Sequence, residues 1–486
     1  MPRKTQFTFK IISSVLSKPY IVFLIIASIF GLSQLVLVPA FNEPDEGAHF
    51  NRIYQITEGH LFGQIIPGGK GGYIPKSLNS FESSNNNLIT GSRTTFSQTL
   101  KTITKNGPTI NDSKNLVKTH FENTELYNPI TYIPQVTAML ISKLFNFSDN
   151  LTFYLVRLFG FITWLIICTF ALRKMGAIGW AAALLILTPL SVQMAITVSA
   201  DSLAIAASLL FTGTLIEILR NNKPISTKLS VYLLILVALL SSIKLPYVLL
   251  LGLLILIPKD LFPVRGFQSR KFLFAIAIFI IVIIAGGWTV ASQKGYVPYR
   301  NAAGGVPLVQ KTQEKYIIEH PLSFLHKTYE TYLRDTPYNG SPTLGFASEL
   351  GLLNYGISSW AVALYFVLIG VVFSVLRASS KTKDYLGKLK QSYCFLIALV
   401  IFVLINVLIF ISWSRISFPV IEGIQSRYFI PDTFPLLFFI LPILKKDIKL
   451  TNTFYVLFPA CLVLIQLAGV VAVYYQYYAP ALKPLI

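Results

Sequence analysis

Residues 20–38 read YIVFLIIASIFGLSQLVLV, a run without a charged side chain, and residues 41–52 follow at once as FNEPDEGAHFNR. The first stretch is long enough to cross a bilayer as a helix. It is too long for the apolar core of a cleaved signal, and Val38-Pro39-Ala40 is a poor small-residue cleavage site, so it reads as a retained span. The second stretch places three carboxylates, a histidine and an arginine just past the exit from that span. Pro44 suits the first helical position, with Asn42 or Glu43 as the cap. A helix from there to near Gly59 sets Asp45, His49 and Arg52 on one face. Phe50, Ile53 and Tyr54 fall on another face, suited to a membrane surface or to other helices. The helix N-terminus would also favour ionised Asp45 and Glu46.

The rest of the chain repeats the first signal. Of 486 residues 53% are hydrophobic and only 13% charged, with mean hydropathy +0.62; a soluble chain carries about 25% charge. Apolar runs fall at about 20–38, 151–172, 178–195, 201–219, 229–243, 245–258, 271–291, 357–377, 391–412, 428–444 and 453–475. We therefore expect an all-α membrane protein of about eleven transmembrane helices, with 1–486 as a single polytopic domain. Short basic segments (Arg3, Lys4, Lys10, Lys18; Arg173-Lys174; Arg220, Lys223, Lys228; Lys259 to Lys271; Arg377 to Lys390; Lys445, Lys446, Lys449) alternate with the runs. The density of Lys and Arg puts the N-terminus inside, and an odd span count puts the C-terminus outside.

That orientation leaves two long outer loops. The first, 40–150, begins with the acidic elbow. It contains a polar Gly/Ser/Thr/Asn-rich insertion at 67–120, irregular or β-containing, and closes on Asn128-Pro129, which caps a second interfacial helix running to about Leu144. The second, 292–356, contains an amphipathic stretch from Glu314 to Leu333, interrupted near Pro321. The net charge of +20 serves topology, so nucleic acid is not expected as a partner. Cys168, Cys394 and Cys461 lie in apolar runs at unrelated spacings and read as buried small hydrophobes.

The candidate chemistry collects on the outer side. Asp45 or Glu46 could act as general base toward a hydroxyl. Alternatively the carboxylate pair could hold a divalent cation, with His49 as a further ligand. Asp201, at the mouth between two spans, either caps the following helix or serves a site. Lys244, in Ser242-Ile243-Lys244-Leu245-Pro246, either snorkels to headgroups or meets a phosphate. Arg427, in Glu422-Gly423-Ile424-Gln425-Ser426-Arg427-Tyr428, stands at a helix start suited to an anion, or pairs with Glu422 or Asp432. No phosphate-binding glycine loop, nucleophile elbow or zinc-protease motif is present. Chemistry on this side would need a donor that arrives on a lipid.

Several of these stretches together resemble one family. Pro44-Asp45-Glu46-Gly47-Ala48-His49-Phe50 with Tyr54-Gln55-Ile56-Thr57-Glu58-Gly59 is similar to the signature of the bacterial domain-of-unknown-function 2142 proteins. The resemblance continues through Asn128–Pro134, Thr188-Pro189 to Ala200-Asp201-Ser202, Lys244-Leu245-Pro246-Tyr247 and Gln425–Pro431. Ala200 stands where that family usually has Asn, and Ser426 where it has Gly. The family is in turn similar to the GT-C membrane glycosyltransferases, which take sugars from polyprenyl-phosphate carriers with an acid of the first outer loop as base. That likeness implies a GT-C-like fold in a bacterial plasma membrane, with the site on the extracytoplasmic face. Asp45 would be the leading base, followed by Glu46 and Glu43. Arg427, Lys244 and Arg52 would bind the carrier phosphate, with His49, Asp201, Tyr428, Gln425 and Asn128 around the substrates. The implied partners are a lipid-linked sugar donor, membrane lipids and a cell-envelope glycan or glycolipid acceptor, as in polysaccharide biosynthesis. No cofactor is required and a divalent cation is optional. The rival expectation is a transporter or flippase of a lipid-linked saccharide, which would instead show inverted repeats and midplane charges.

Overall fold

The computed structural model describes residues 15–479 apart from 68, 87–92, 112–114, 267–268, 295–308, 335–339, 341, 353, 379–386 and 446–449. Arg3, Lys4, Lys10, Lys446 and Lys449, and parts of both long loops, lie outside the described residues. Regular structure is overwhelmingly helical. Among the described residues seven helices are long and apolar enough to cross a membrane: Pro19–Leu37, Asp149–Ile186, Asp201–Asn221, Arg270–Gln293, Ser359–Arg377, Gly387–Ser412 and Asn452–Tyr477. The chain is a multi-pass membrane protein. Asp201–Asn221 is the most buried of the seven and packs along Asp149–Met175 and beside Pro431–Lys445.

The other four expected spans are shorter or wound differently. The run at 178–195 breaks at Leu187-Thr188, because Pro189 has no N–H to continue the ladder. Thr188 caps the restart, its hydroxyl accepting from Ser191 N at 3.0 Å. The freed Leu187 carbonyl accepts from Gln466 Nε2 at 2.7 Å. Thr227–Ser241 is a 15-residue helix. Leu245–Leu256 and Pro431–Lys445 are wound as tight three-residue turns. In the second of these, Pro431 and Pro435 remove donors that a long α-helix would need.

Arg270–Gln293 also departs from a plain helix. A π turn occupies Val282–Gly286 before α-helix resumes at Gly287–Gln293. We refer to it as the bulged span.

The first long loop opens with the elbow helix, Glu46–Thr57. Strands β1 (Gln64–Ile66), β2 (Gly69–Pro75) and β3 (Leu116–His120) then form an antiparallel sheet in the order β1-β2-β3, with helices Lys76–Asn86 and Phe96–Thr104 between β2 and β3. Gly71 is required there, since a Cβ would meet the Thr119 carbonyl oxygen. In the second loop two helices, Gln310–Glu319 and Pro321–Leu333, meet at His320.

Candidate active site

The elbow begins with strain. Phe41 and Asp45 both adopt left-handed backbone, at φ 60° and 61°. A bulky residue rarely tolerates that conformation. Phe41 is held there by its rings' neighbours Phe153, Phe81 and Phe50, at 4.3, 5.0 and 5.9 Å. Asp45 is thus the residue before the helix rather than part of its first turn. Of the expected common face, Asp45 and His49 border one cavity, whereas Arg52 turns away to the His60 and Leu61 carbonyls.

Asp45 reaches across to the C-terminal half of the chain. Its Oδ2 accepts from Arg427 Nη2 at 2.7 Å, and its Oδ1 accepts from Asn123 Nδ2 at 3.3 Å. The other side of the Arg427 guanidinium faces Asp201 Oδ2, 3.5 Å from Nε. Asp201 Oδ1 in turn pairs with the Lys244 ammonium. Four loops distant in sequence are therefore joined as Asp45–Arg427–Asp201–Lys244. The Lys244 ammonium lies 4.7 Å from the Tyr428 ring centre and 5.3 Å from that of Tyr127. Burial alone would drive Lys244 toward its neutral form, but the Asp201 carboxylate offsets this and holds it above the usual lysine range.

Asp45, Lys244 and the two tyrosines border a cavity of about 840 Å³, large enough for a drug-sized ligand or part of a larger one. Asp45, His49, Tyr127, Lys244, Gln425 and Tyr428 line one end of it. Arg427 and Asp201 do not line the cavity. They are 4% and 5% exposed and stand behind the wall, fixing Asp45 and Lys244 from the rear. Arg427 was expected to meet a phosphate directly, but its guanidinium is already engaged by two carboxylates.

Other expected site residues do not line this cavity. Glu46 is buried and accepts from Arg157 Nε at 2.9 Å and Nη2 at 2.6 Å, and from Val198 N at 3.0 Å. Arg157 also donates to the carbonyls of Val38 and Pro39, so this pair clamps the elbow to the bundle. With Glu46 so engaged, an Asp45–Glu46 metal pair is not available. Among the described residues no three His, Cys, Asp or Glu side chains are grouped to hold a metal ion. Glu43 is fully enclosed; burial, reinforced by the Glu46 charge, pushes its carboxyl well up, and it does not reach the cavity. Arg52 is buried and donates to Gln55 and to the His60 and Leu61 carbonyls. Asn128 is a cap, accepting from Ile130 N at 3.0 Å.

Arg157, Asn123 and Tyr127 were not anticipated as part of this region. Arg157 had a visible signal, a lone charge inside an apolar run. Asn123 and Tyr127 had none, since a polar loop offers many such residues.

Two buried groups near the site titrate in opposite senses. His49 Nδ1 lies 2.7 Å from the Tyr132 hydroxyl, and burial pushes its pKa down to about 4. Glu125 takes a hydrogen bond from Gln55 Nε2 at 3.0 Å, and burial pushes its pKa up to about 7. Neutral His49 adds stability that is lost as pH falls from 6.5 toward 4. Protonated Glu125 adds stability that is lost as pH rises from 4.5 toward 7. The two slopes oppose one another in the native protein. The Glu125→Gln variant should then show a melting temperature that climbs across the His49 window, and a flat profile would count against the His49 assignment.

A family model described as a predicted membrane protein (DUF2142) matches residues 28–435. Neither a curated protein nor a solved structure matches the chain.

Proposed function

The chain belongs to that family of predicted membrane proteins, and from the cavity's chemistry we propose that it is a membrane glycosyltransferase using a polyprenyl-phosphate sugar. The observation that carries this reading is that Asp45 and Lys244 line one cavity and are tied together through Arg427 and Asp201. A carboxylate and a fixed cation lining one cavity suit the two ends of one displacement. The acceptor hydroxyl gives its proton to Asp45 Oδ1 while its oxygen attacks the anomeric carbon. The bond from that carbon to the phosphate oxygen breaks, and the lipid phosphate leaves with the electron pair next to Lys244. Attack opposite the leaving group inverts the anomeric centre. Arg427 holds Asp45 Oδ2, while Oδ1, which takes a longer hydrogen bond from Asn123, keeps a second lone pair for the acceptor's proton. The fixed ammonium supplies the charge the leaving phosphate needs, so a divalent cation is optional.

In this reading the four shorter segments bring the crossings to eleven, with the N-terminus inside and the C-terminus outside. The basic loops then lie in the cytoplasm of a bacterial cell, and the cavity faces outward, toward glycan or glycolipid acceptors of the cell envelope. The resemblance of the family's sequence motifs to those of GT-C enzymes supports the choice by analogy of the first-loop acid.

The test is the purified chain in nanodiscs with a panel of radiolabelled polyprenyl-phosphate hexoses and envelope glycans. Transfer of label with release of polyprenyl phosphate is expected. Lys244→Met should raise the donor KM about 10- to 100-fold, the loss of one charge-assisted contact. Transport of intact lipid-linked saccharide without phosphate release would instead favour a transporter.

A further inference from the structure

Two walls of the cavity belong to helices that do not support one another. Ala285, Trp288 and Thr289 come from the bulged span, and Ile405, Leu408 and Ile409 from Gly387–Ser412. The bulged span rests on Thr227–Ser241, whereas Gly387–Ser412 rests on Leu245–Leu256 and Pro431–Lys445; the two have no extended contact. The bend Ile243-Lys244-Leu245-Pro246 also lines the cavity. The result is a cavity with mainly apolar sides and the Lys244 ammonium in its lining, one side of which is a helix that exposes Val282, Ile283 and Val290.

The bulged span is also built to move. It is the least buried of the seven long helices, with 17% of its apolar window enclosed. Its π turn ends at Gly286 and is followed by Gly287, and neither glycine has a neighbour within 4 Å of where a Cβ would sit. A π turn followed by a glycine pair in open space is a natural hinge. Beyond it the loop-side end is tethered to the first long loop. Lys70 Nζ donates to the Ser292 carbonyl at 2.6 Å, Trp288 Nε1 donates to the Leu126 carbonyl at 2.8 Å, and Phe62 stacks on Trp288 at 5.1 Å.

We propose that this cleft admits the hydrocarbon chain of an isoprenoid phosphate from the bilayer, with the phosphate at Lys244 and the loop-side end of the bulged span swinging at Val282–Gly287 to let it in. The proposal rests on the reading of the cavity as a lipid-phosphate site. It adds which two helices hold the chain and where the opening moves. Branched aliphatic side chains match a methyl-branched chain by shape, and the fixed cation selects an anionic head.

The experiment uses the full chain in nanodiscs and a sugar-free prenyl monophosphate carrying a diazirine on its chain, with labelled peptides read by mass spectrometry. Labelling should concentrate on 285–292 and 405–412, and unlabelled prenyl monophosphate should compete while phosphatidylglycerol does not. Lys244→Met should lower it about tenfold or more, and Ile409→Trp should block it by filling the cleft. Gly286→Ala with Gly287→Ala, which meets no steric obstacle, should slow labelling several-fold without moving it; an unchanged rate would overturn the hinge. Equal labelling of other lipid-facing side chains such as Ile29 and Phe366, or equal competition by phosphatidylglycerol, would overturn the cleft. Because the probe carries no sugar, focused labelling without any transfer activity would refute the proposed chemistry and leave the cleft standing.

Discussion

Replacing Asp45 by asparagine is expected to lower turnover by about 10²- to 10⁴-fold, the range over which a positioned general base contributes. The substitution preserves size, so the contacts to Arg427 and Asn123 can still be made in part. What it removes is the ability of Oδ1 to take up the acceptor's proton. The loss should therefore appear in kcat, with the donor KM changed far less, because the proposed phosphate contact lies at Lys244. The left-handed backbone at φ 61° is one that Asn tolerates about as well as Asp, so the melting temperature should stay near that of the native chain. Asp45→Glu makes the complementary point. It keeps the carboxylate but moves it by one methylene at a position already bound to Arg427, and only partial recovery is expected. Native turnover in the Asp45→Asn protein would remove Asp45 from the chemistry.

That division of labour within the elbow was only partly legible in the sequence. The cluster at 42–52 stands out because charge is rare in so apolar a chain, and its neighbourhood with Asp201, Lys244 and Arg427 follows once topology puts all four loops on one side. Helical spacing could not say which acid does what. Pro44 reads as a first helical residue, yet the helix starts at Glu46. The chain must turn sharply there, so that Glu46 points back to Arg157 while Asp45 points across to Arg427. That turn needs left-handed residues, and Asp and Phe do not announce them as glycine would. The spans show the same limit. Composition identifies an apolar run, but whether it winds as one α-helix depends on Pro189, Pro431 and Pro435 and on partners such as Gln466, whose contacts are long-range. Arg427 was legible as part of an anion site, but not as a group standing behind the wall.

Arg157→Met should cost the fold about 3–5 kcal/mol, the usual penalty for removing one partner of a buried ion pair. Both side chains of the Arg157–Glu46 pair have no solvent exposure, so neither charge can recover hydration when the other is lost. The damage extends beyond the pair, because Arg157 also satisfies the Val38 and Pro39 carbonyls at the exit of the first span, and unpaired buried carbonyls carry their own desolvation cost. Thermal unfolding in detergent should show a large fall in midpoint for Arg157→Met and for Glu46→Gln. The double variant Arg157→Met with Glu46→Leu should recover part of that loss, since no charge then remains buried. Asp45→Asn and Arg157→Met would thus fail in different ways. The first yields a stable protein that turns over slowly, the second an unstable one whose folded fraction keeps its native kcat as long as the elbow stays seated. If Arg157→Met instead lost kcat at full stability, Glu46 and Arg157 would have to be moved from the scaffold into the chemistry.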